Sequence, residues 1–291
     1  MRDYVFLLRP KHWIKNLFIF AALIFSLNLF DIGKFIISLR AFIAFSLISS
    51  FVYIINDIVD IEQDKRHPKK RNRPIASGKI ALVNALLISI FCLIAGLIIA
   101  YFINLNTLIV ITIYVIINIF YSIKIRNVVI LDVITIALGF ILRMIAGATA
   151  IEVGFSSWIL LTTFSIALVL GFGKRRGEIL LTSNNFSEDT RSVLKQYNIQ
   201  YLDSIIISSV TLTIISYALY TIDSEVIYRF GTDKLIYTVP FVIYGIFRYL
   251  YVIYKFDNDG DPTEIVLKDK LIIYIVIIWI LIIVGLIYGA K

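Results

Sequence analysis

The sequence is poor in the residues that build disulfide-bonded proteins and histidine-rich metal sites. Among 291 residues it has one cysteine, Cys92, and two histidines. A single cysteine excludes an intrachain disulfide, and two histidines exclude a metal site with three histidine ligands. Charged residues are also scarce, at 16% of the chain. No small-residue cleavage site follows the basic first residues, so we do not expect a cleavable signal peptide.

Apolar residues, by contrast, are too abundant for a soluble domain. They make up 59% of the chain, against about half in typical soluble proteins. Many runs approach the roughly 20 residues of a spanning helix, and they lack the alternating polarity of barrel strands. We predict one all-α integral membrane domain over residues 1–291, with nine transmembrane helices. The nine runs are 17–30, 35–56, 81–103, 107–122, 131–151, 156–173, 203–222, 235–254 and 271–289.

The basic residues fall mostly on one side of the predicted bundle. If all nine runs span, most of the 28 Lys and Arg residues lie at the N-terminus and in the even-numbered connections. Because positive charge is retained inside, we predict a multi-pass protein of the cell (cytoplasmic) membrane. Its N-terminus lies in the cytoplasm and its C-terminus outside. These charges flank apolar runs and no nucleic-acid-binding motif is present, so we expect membrane lipid and no nucleic acid as a partner.

The stretch NDIVDIEQDKRHPKKRNRPIASG, residues 56–78, combines acid and base at the end of the second run. Asp57, Asp60 and Asp64 stand three and four residues apart, so a continuing helix places all three on one face. Crowded carboxylates repel one another unless a cation lies between them. Mg²⁺ prefers such oxygen ligands, together with water and substrate phosphates. The spacing predicts an Mg²⁺ site in an Asp-rich loop of about residues 56–80.

Basic residues follow the acidic ones immediately: Lys65, Arg66, Lys69, Lys70, Arg71 and Arg73. A diphosphate bridged by Mg²⁺ needs cationic side chains for its remaining oxygens. The order of acid and then base therefore favours a diphosphate site, with Asp57, Asp60 and Asp64 as metal ligands and catalytic residues. The alternative is an ordinary solvated loop after a membrane span.

The pattern N-D-x-x-D-x-x-x-D, residues 56–64, resembles the first aspartate-rich motif of the UbiA superfamily of intramembrane prenyltransferases. The resemblance covers nearly the whole chain and implies a UbiA-type helical bundle. Three stretches, RPKHWIKN (9–16), KRNRPIASG (70–78) and LDVITIALGFILRMIAG (131–147), resemble the branch of decaprenyl-phosphate phosphoribosyltransferases. That branch transfers 5-phosphoribosyl from 5-phosphoribosyl diphosphate (PRPP) to a polyprenyl phosphate and releases diphosphate. Decaprenyl and undecaprenyl phosphate are both plausible acceptors for this chain.

A second cytoplasmic loop, of about residues 121–132, matches the superfamily only in part. Tyr121 and Lys124 resemble its Y-x-x-K element, and Asp132 matches the first aspartate of its second motif. Ile136 stands where that motif typically has a second carboxylate. This departure argues against a second strong metal site and against an ordinary allylic-diphosphate enzyme.

Further basic residues are candidates for contact with phosphate. Arg143 lies on nearly the same helix face as Asp132, about 16 Å deeper, where an arginine usually faces a cavity or a partner such as an acid. Lys174 and Arg175 adjoin glycines and suit either a phosphate clamp on a mobile loop or a membrane anchor. The expected substrate-binding residues are Lys15, Asn16, Asn56, Lys70, Arg71, Arg73, Tyr121, Lys124, Asp132, Arg143, Lys174 and Arg175.

Two other functions share parts of this pattern. A conventional UbiA-type prenyltransferase, which attaches a prenyl chain to an aromatic or lipid acceptor, would use the same aspartates. A transporter or flippase needs no chemistry, but transporter sites tend to lie near the membrane midplane between repeated halves. Here the charge is concentrated at one membrane face. Phosphoribosyl transfer is the favoured prediction, and the oligomeric state is left open.

Overall fold

A computed structural model describes residues 2–66, 70–183, 193–255 and 262–289. Within these ranges every regular element is a helix, which confirms the predicted all-α class. The α-helices are α1 (Arg2–Leu8), α2 (Ala21–Phe25), α3 (Ile32–Val59), α4 (Ile61–Arg66), α5 (Leu82–Ile103), α6 (Leu105–Ile123), α7 (Leu131–Ala150), α8 (Ser157–Ser183), α9 (Ile199–Ile222), α10 (Ser224–Phe230), α11 (Val239–Lys255), α12 (Pro262–Lys268) and α13 (Lys270–Gly289). The 3-10 helices are Pro10–Phe20, Lys70–Asn72, Ile125–Asn127, Leu194–Gln196 and Lys234–Thr238.

Eight helical segments in the described part of the chain are long and apolar enough to cross a membrane. They are α3, α5, α6, α7, α8, α9, α13 and the continuous segment Lys234–Lys255. Each overlaps one of the predicted runs, because a long apolar run in lipid must satisfy its backbone groups internally. The chain is therefore an integral membrane protein.

The first predicted run, 17–30, differs from the structure in its helix type and its bounds. Helical structure begins earlier, at Pro10, as a 3-10 helix that passes into α2 and ends at Phe25. A 3-10 helix rises about 2.0 Å per residue and an α-helix about 1.5 Å, so this segment reaches about 30 Å, the thickness of the hydrocarbon core. Leu27, with a φ of 62°, turns the chain back toward α3. The described residues thus contain eight long spans and one shorter segment of mixed helix type.

Polar side chains mark where several of the long helices begin. Asp31 accepts a hydrogen bond from the backbone N–H of Lys34 at the start of α3. Asn104 does the same for Thr107 at the start of α6, and Asn198 for Gln200 at the start of α9. These caps satisfy N–H groups that have no partner within the helix. The sequence therefore specifies these helix ends locally.

The chain divides into two compact units, and the first comprises residues 1–135 and 142–154. Within it α3 packs against α5, α6 and the 3-10 helix Pro10–Phe20, and the core contains Phe45 and Ile48 of α3. Gly147 of α7 lies against the backbone of Ile19, where an added Cβ would stand 2.1 Å from the carbonyl oxygen. This close approach holds the first helical segment against α7.

The second unit comprises residues 136–141 and 155–291 and is built mainly on α8 packed against α9 and on α11 packed against α13. Its buried polar groups bind one another across helices. The hydroxyls of Tyr217 and Thr238 lie 2.7 Å apart, and the indole of Trp279 donates to the Tyr217 oxygen at 3.0 Å. Such interhelical hydrogen bonds stabilise helix packing in lipid by about 0.6–2 kcal/mol each.

Candidate active site

The three aspartates of the motif lie at the junction of α3 and α4. Asp57 is in the last turn of α3, Asp64 is in α4, and Asp60 joins the helices with a φ of −93° and a ψ of 8°. The helical spacing of hydrogen bonds nevertheless continues, since the N–H of Asp60 donates to the Asn56 carbonyl and that of Asp64 donates to the Asp60 carbonyl. All three residues are buried, with relative exposures of 4%, 8% and 3% in chain order.

Arg73 connects two of these carboxylates. Its Nη1 donates to Asp57 Oδ1 at 2.9 Å and to Asp64 Oδ2 at 2.6 Å. Because both oxygens contact one nitrogen, they lie within about 5.5 Å of each other. Arg73 follows Lys70–Asn72, the short 3-10 helix that packs against α4. The structure thus brings Asp57, Asp64 and Arg73 together, as expected for a shared site.

Arg9 is a second cation on Asp57 that the sequence analysis did not single out. Its Nη2 donates to Asp57 Oδ1 at 2.5 Å, and its guanidinium lies over the ring of Tyr53. Arg9 has a φ of 52° and a ψ of 55°, a left-handed conformation just before Pro10. Proline disfavours the right-handed helical conformation for the residue before it. In the sequence Arg9 is the first residue of the RPKHWIKN stretch (9–16), but no role in the site was predicted for it.

Arg126 and Ser122 connect the second predicted loop, of about residues 121–132, to the aspartate motif, and neither was predicted as a site residue. The Nη1 of Arg126 donates to Asp60 Oδ1, and the Ser122 hydroxyl donates to the side-chain oxygen of Asn56. Ser122 is in the last turn of α6 and Arg126 in the 3-10 helix Ile125–Asn127. These two bonds bring the end of α6 and the residues after it to the aspartate motif.

Burial changes the acidity of Asp64. Burial raises the pKa of Asp64 above its ordinary value, and the neighbouring Asp57 carboxylate adds to the rise. The Arg73 guanidinium opposes the increase, as does Lys70 more weakly. Burial dominates because removing a carboxylate from water penalises its charged form. A cation beside Asp64 would offset part of this penalty on the charged carboxylate.

The other predicted residues of this unit have different surroundings. Asp132 is fully buried in the first turn of α7, whereas Lys124 and Arg71 are exposed. Lys15, Lys70 and Tyr121 are partly exposed. Their contacts with a phosphate stay predictions.

Arg143 and Asn16 belong to a polar network inside the helices. Arg143 is 4% exposed, and its Nε donates to Asn16 Oδ1 at 2.7 Å while Nη2 donates to the Tyr114 hydroxyl at 3.0 Å. The guanidinium also lies over the rings of Phe45 and Tyr114. Asn16 in turn donates to Ser46 at 3.0 Å. These bonds link α7 to the 3-10 helix Pro10–Phe20 and to α3, and the expected phosphate contact of Arg143 stays a prediction.

Lys174 and Arg175 lie within α8, so the interpretation of a mobile loop is wrong. The helix continues to Ser183, ten residues past the predicted end of that run, because its basic residues are good helix formers. Arg175 is 1% exposed and binds Glu178 at 2.6 Å, one turn further along. Arg176 next to it binds Asp203 of α9 at 2.7 Å. Both arginines thus have acidic partners inside the second unit.

The chemistry of the aspartate cluster fits a divalent cation. No group of three or more His, Cys, Asp or Glu residues is arranged as a complete metal site within residues 2–66, 70–183, 193–255 and 262–289. Mg²⁺ does not require one, since it usually takes one or two carboxylates, waters and substrate phosphates. Asp57 and Asp64 already surround one positive charge, the Arg73 guanidinium. A metal ion on the same two carboxylates would have to take the place of that guanidinium.

Comparison with protein families and curated sequences identifies similar proteins. The UbiA prenyltransferase family matches residues 17–274. The decaprenyl-phosphate phosphoribosyltransferase of Mycolicibacterium smegmatis is 30% identical over 284 residues, which cover 94% of this chain and 88% of that protein. The enzyme of the same name from Corynebacterium glutamicum is 31% identical over 289 residues, covering 97% and 85%.

Solved structures agree in fold. A UbiA homologue from Archaeoglobus fulgidus, bound to DMAPP and Mg²⁺, aligns with a TM-score of 0.73 at 20% identity and covers 99% of this chain and 98% of its own. A structure described for digeranylgeranylglyceryl phosphate synthase aligns with a TM-score of 0.66 at 25% identity and covers 99% and 98%. The helices, the position of the aspartate motif and the match over residues 17–274 lead to one conclusion: the chain belongs to the UbiA prenyltransferase family.

Proposed function

We propose that this protein transfers the 5-phosphoribosyl group of PRPP to a polyprenyl phosphate and releases diphosphate. The observation that carries the proposal is the identity of about 30% with two decaprenyl-phosphate phosphoribosyltransferases across nearly the whole chain. The buried aspartates and their arginines support it, since they form a site with the charges that a metal–diphosphate group requires.

The donor is held by its diphosphate at the aspartate motif. Asp57, Asp60 and Asp64 are the proposed ligands of Mg²⁺, which when bound supplies positive charge that stabilises diphosphate as a leaving group. Arg73, on the same carboxylates, lies where it can donate to diphosphate oxygens. Lys70, close enough to influence Asp64 electrostatically, and the exposed Arg71 are the proposed partners of the remaining phosphate charge.

The reaction is a substitution at ribose C1. The bond between C1 and the diphosphate oxygen breaks, and diphosphate leaves with the electron pair. The resulting oxocarbenium character at C1 is met by an oxygen of the lipid phosphate, which forms the new bond. The lipid phosphate is already ionised, so no side chain has to remove a proton. This requirement agrees with the side chains that bind the aspartates, which are the guanidinium groups of Arg9, Arg73 and Arg126.

The membrane arrangement follows from the same proposal. The acceptor's polyprenyl chain lies in the lipid while its phosphate reaches the motif at the end of α3. We infer that this end faces the cytoplasm of a cell-membrane protein, where water-soluble PRPP is available, and that the C-terminus lies outside. Reporters fused to the C-terminus and inserted in the loop after α3 test this orientation. The C-terminal reporter should respond only outside the cell and the loop reporter only in the cytoplasm, and the same response from both sides contradicts it.

The product distinguishes this function from its alternatives. Purified protein is incubated with ribose-labelled PRPP, Mg²⁺ and decaprenyl or undecaprenyl phosphate, and the lipid is extracted and weighed by mass spectrometry. We expect a lipid heavier by one phosphoribosyl group and none with Asp57→Asn. Turnover of an allylic diphosphate without labelled lipid would establish a conventional prenyltransferase instead. Movement of unmodified lipid phosphate across the membrane, with no product, would establish a flippase.

A further inference from the structure

We propose that a divalent cation and a diphosphate enter this site as a mutually dependent pair, by an exchange of partners with three arginines. Arg9, Arg73 and Arg126 hold the aspartates in the absence of ligand and turn to the diphosphate oxygens when the cation takes the carboxylates. The inference rests on the proposed function and concerns how the site binds its ligands.

The three aspartates of the motif already have guanidinium partners. Asp57 and Asp64 share Arg73, Asp57 also binds Arg9, and Asp60 binds Arg126. Three carboxylates are thus matched by three guanidinium groups. A metal ion that adds two positive charges therefore finds each of these three carboxylates already bound to an arginine. A diphosphate likewise finds each of these three guanidinium groups already bound to an aspartate.

Either ligand alone therefore leaves a charged group without its partner. A cation that displaced Arg73 from Asp57 and Asp64 would strand a guanidinium whose side chain is only 28% exposed. A diphosphate that attracted Arg73 would leave the Asp64 carboxylate, at 3% exposure, without that guanidinium, and Asp57 would keep Arg9 alone. Separating one member of an enclosed ion pair is costly because the remaining charge is neither hydrated nor paired. When both ligands bind together, each displaced group finds an opposite charge.

The backbone positions of these arginines permit the exchange. Arg9 precedes a 3-10 helix, Arg73 follows one, and Arg126 lies in a three-residue 3-10 helix, so none is within a long α-helix. Their side chains are 18%, 28% and 17% exposed in that order. Arg143 and Arg175, in contrast, lie within long helices and are 4% and 1% exposed. The arginines of the site can turn toward a ligand, whereas those two are enclosed by protein.

The test compares binding of the metal alone with binding of the metal–diphosphate complex. The full chain, purified in detergent micelles, is titrated by calorimetry with Mn²⁺ as a probe for Mg²⁺, and separately with preformed Mn²⁺–pyrophosphate. Arg73→Gln should bind Mn²⁺ alone about fivefold or more tightly, because the competing guanidinium is gone. It should bind the complex about fivefold or more weakly, because a phosphate partner is gone; couplings between ligands usually lie in this range.

Two further variants make the outcome decisive. Arg9→Gln leaves Asp57 paired with Arg73. It should likewise bind Mn²⁺ alone more tightly and Mn²⁺–pyrophosphate more weakly, which keeps the test decisive even if Arg73→Gln fails to fold. Lys65→Gln removes one positive charge from α4, where Lys65 binds the exposed Glu62, and controls for general electrostatics. Metal-alone binding in the two arginine variants that equals or falls below that of Lys65→Gln overturns the exchange.

The result is separable from the proposed function. If the wild-type protein makes phosphoribosyl lipid but Mn²⁺ binds equally well with and without pyrophosphate, the exchange is wrong and the function stands. If neither Mn²⁺ nor its pyrophosphate complex binds, the metal assignment and the exchange both fall.

Discussion

Replacement of Gly147 by alanine tests whether the first helical segment is held where Arg9 can reach Asp57. A Cβ at residue 147 would stand 2.1 Å from the carbonyl oxygen of Ile19 and 2.8 Å and 2.9 Å from its carbonyl carbon and Cα. Carbon atoms in favourable contact are about 3.5–4.0 Å apart. The two backbones must therefore separate by about 1 Å, because the obstructing atoms belong to the main chain and cannot rotate away.

The expected magnitude follows from this overlap. Overpacking a close contact costs about 1–3 kcal/mol, so Gly147→Ala should lower the midpoint of thermal unfolding in detergent by several degrees. It should also raise the KM for PRPP, because the displaced 3-10 helix Pro10–Phe20 begins next to Arg9, which binds Asp57.

Gly285→Ala is the matched control. Gly285 lies in the membrane helix α13, and an added Cβ meets nothing within 4 Å. This variant should unfold at or slightly above the wild-type temperature, since alanine favours a helix by about 0.5–1 kcal/mol over glycine. If Gly147→Ala is as stable as Gly285→Ala and keeps the wild-type KM, the close packing of α7 on the first segment is refuted.

Three other substitutions have defined outcomes. Asp57→Asn should reduce product formation by at least about 100-fold, as removal of a main electrostatic group does, while membrane insertion measured by carbonate extraction is unchanged; retained turnover contradicts its role. Arg175→Met should destabilise the fold by about 3 kcal/mol because it removes the enclosed guanidinium that binds the Glu178 carboxylate, and adding Glu178→Gln should restore part of the unfolding temperature. The Arg248 guanidinium lowers the pKa of Asp269, so their contribution to stability is present above the ordinary Asp pKa and lost as pH falls through the lowered one. Unfolding temperatures from pH 6 to pH 3 should consequently fall less in Asp269→Asn than in wild type, and an identical slope contradicts the assignment.

Local patterns determine much of this fold. Each long helix coincides with an apolar run, since lipid leaves the backbone no hydrogen-bond partner outside the helix. The grouping of Asp57 and Asp64 also follows from their spacing, because residues one and two turns apart share a helix face. Polarity alone predicted the ends of the helices less well. The helix α8 continues through Lys174, Arg175 and Arg176, where the apolar run stops.

The identity of the cations on the aspartates was decided only in three dimensions. Arg9 and Asp57 are 48 residues apart, and Arg126 and Asp60 are 66 apart. In the sequence these arginines are indistinguishable from basic residues that flank a membrane span. Packing of α3 with the first segment and with α6 brings them to the motif, and such contacts depend on side-chain shapes along whole helices. Composition and spacing therefore identify a membrane enzyme with an acidic motif, whereas tertiary packing selects which distant charges complete the site, because charges interact through space and not along the chain.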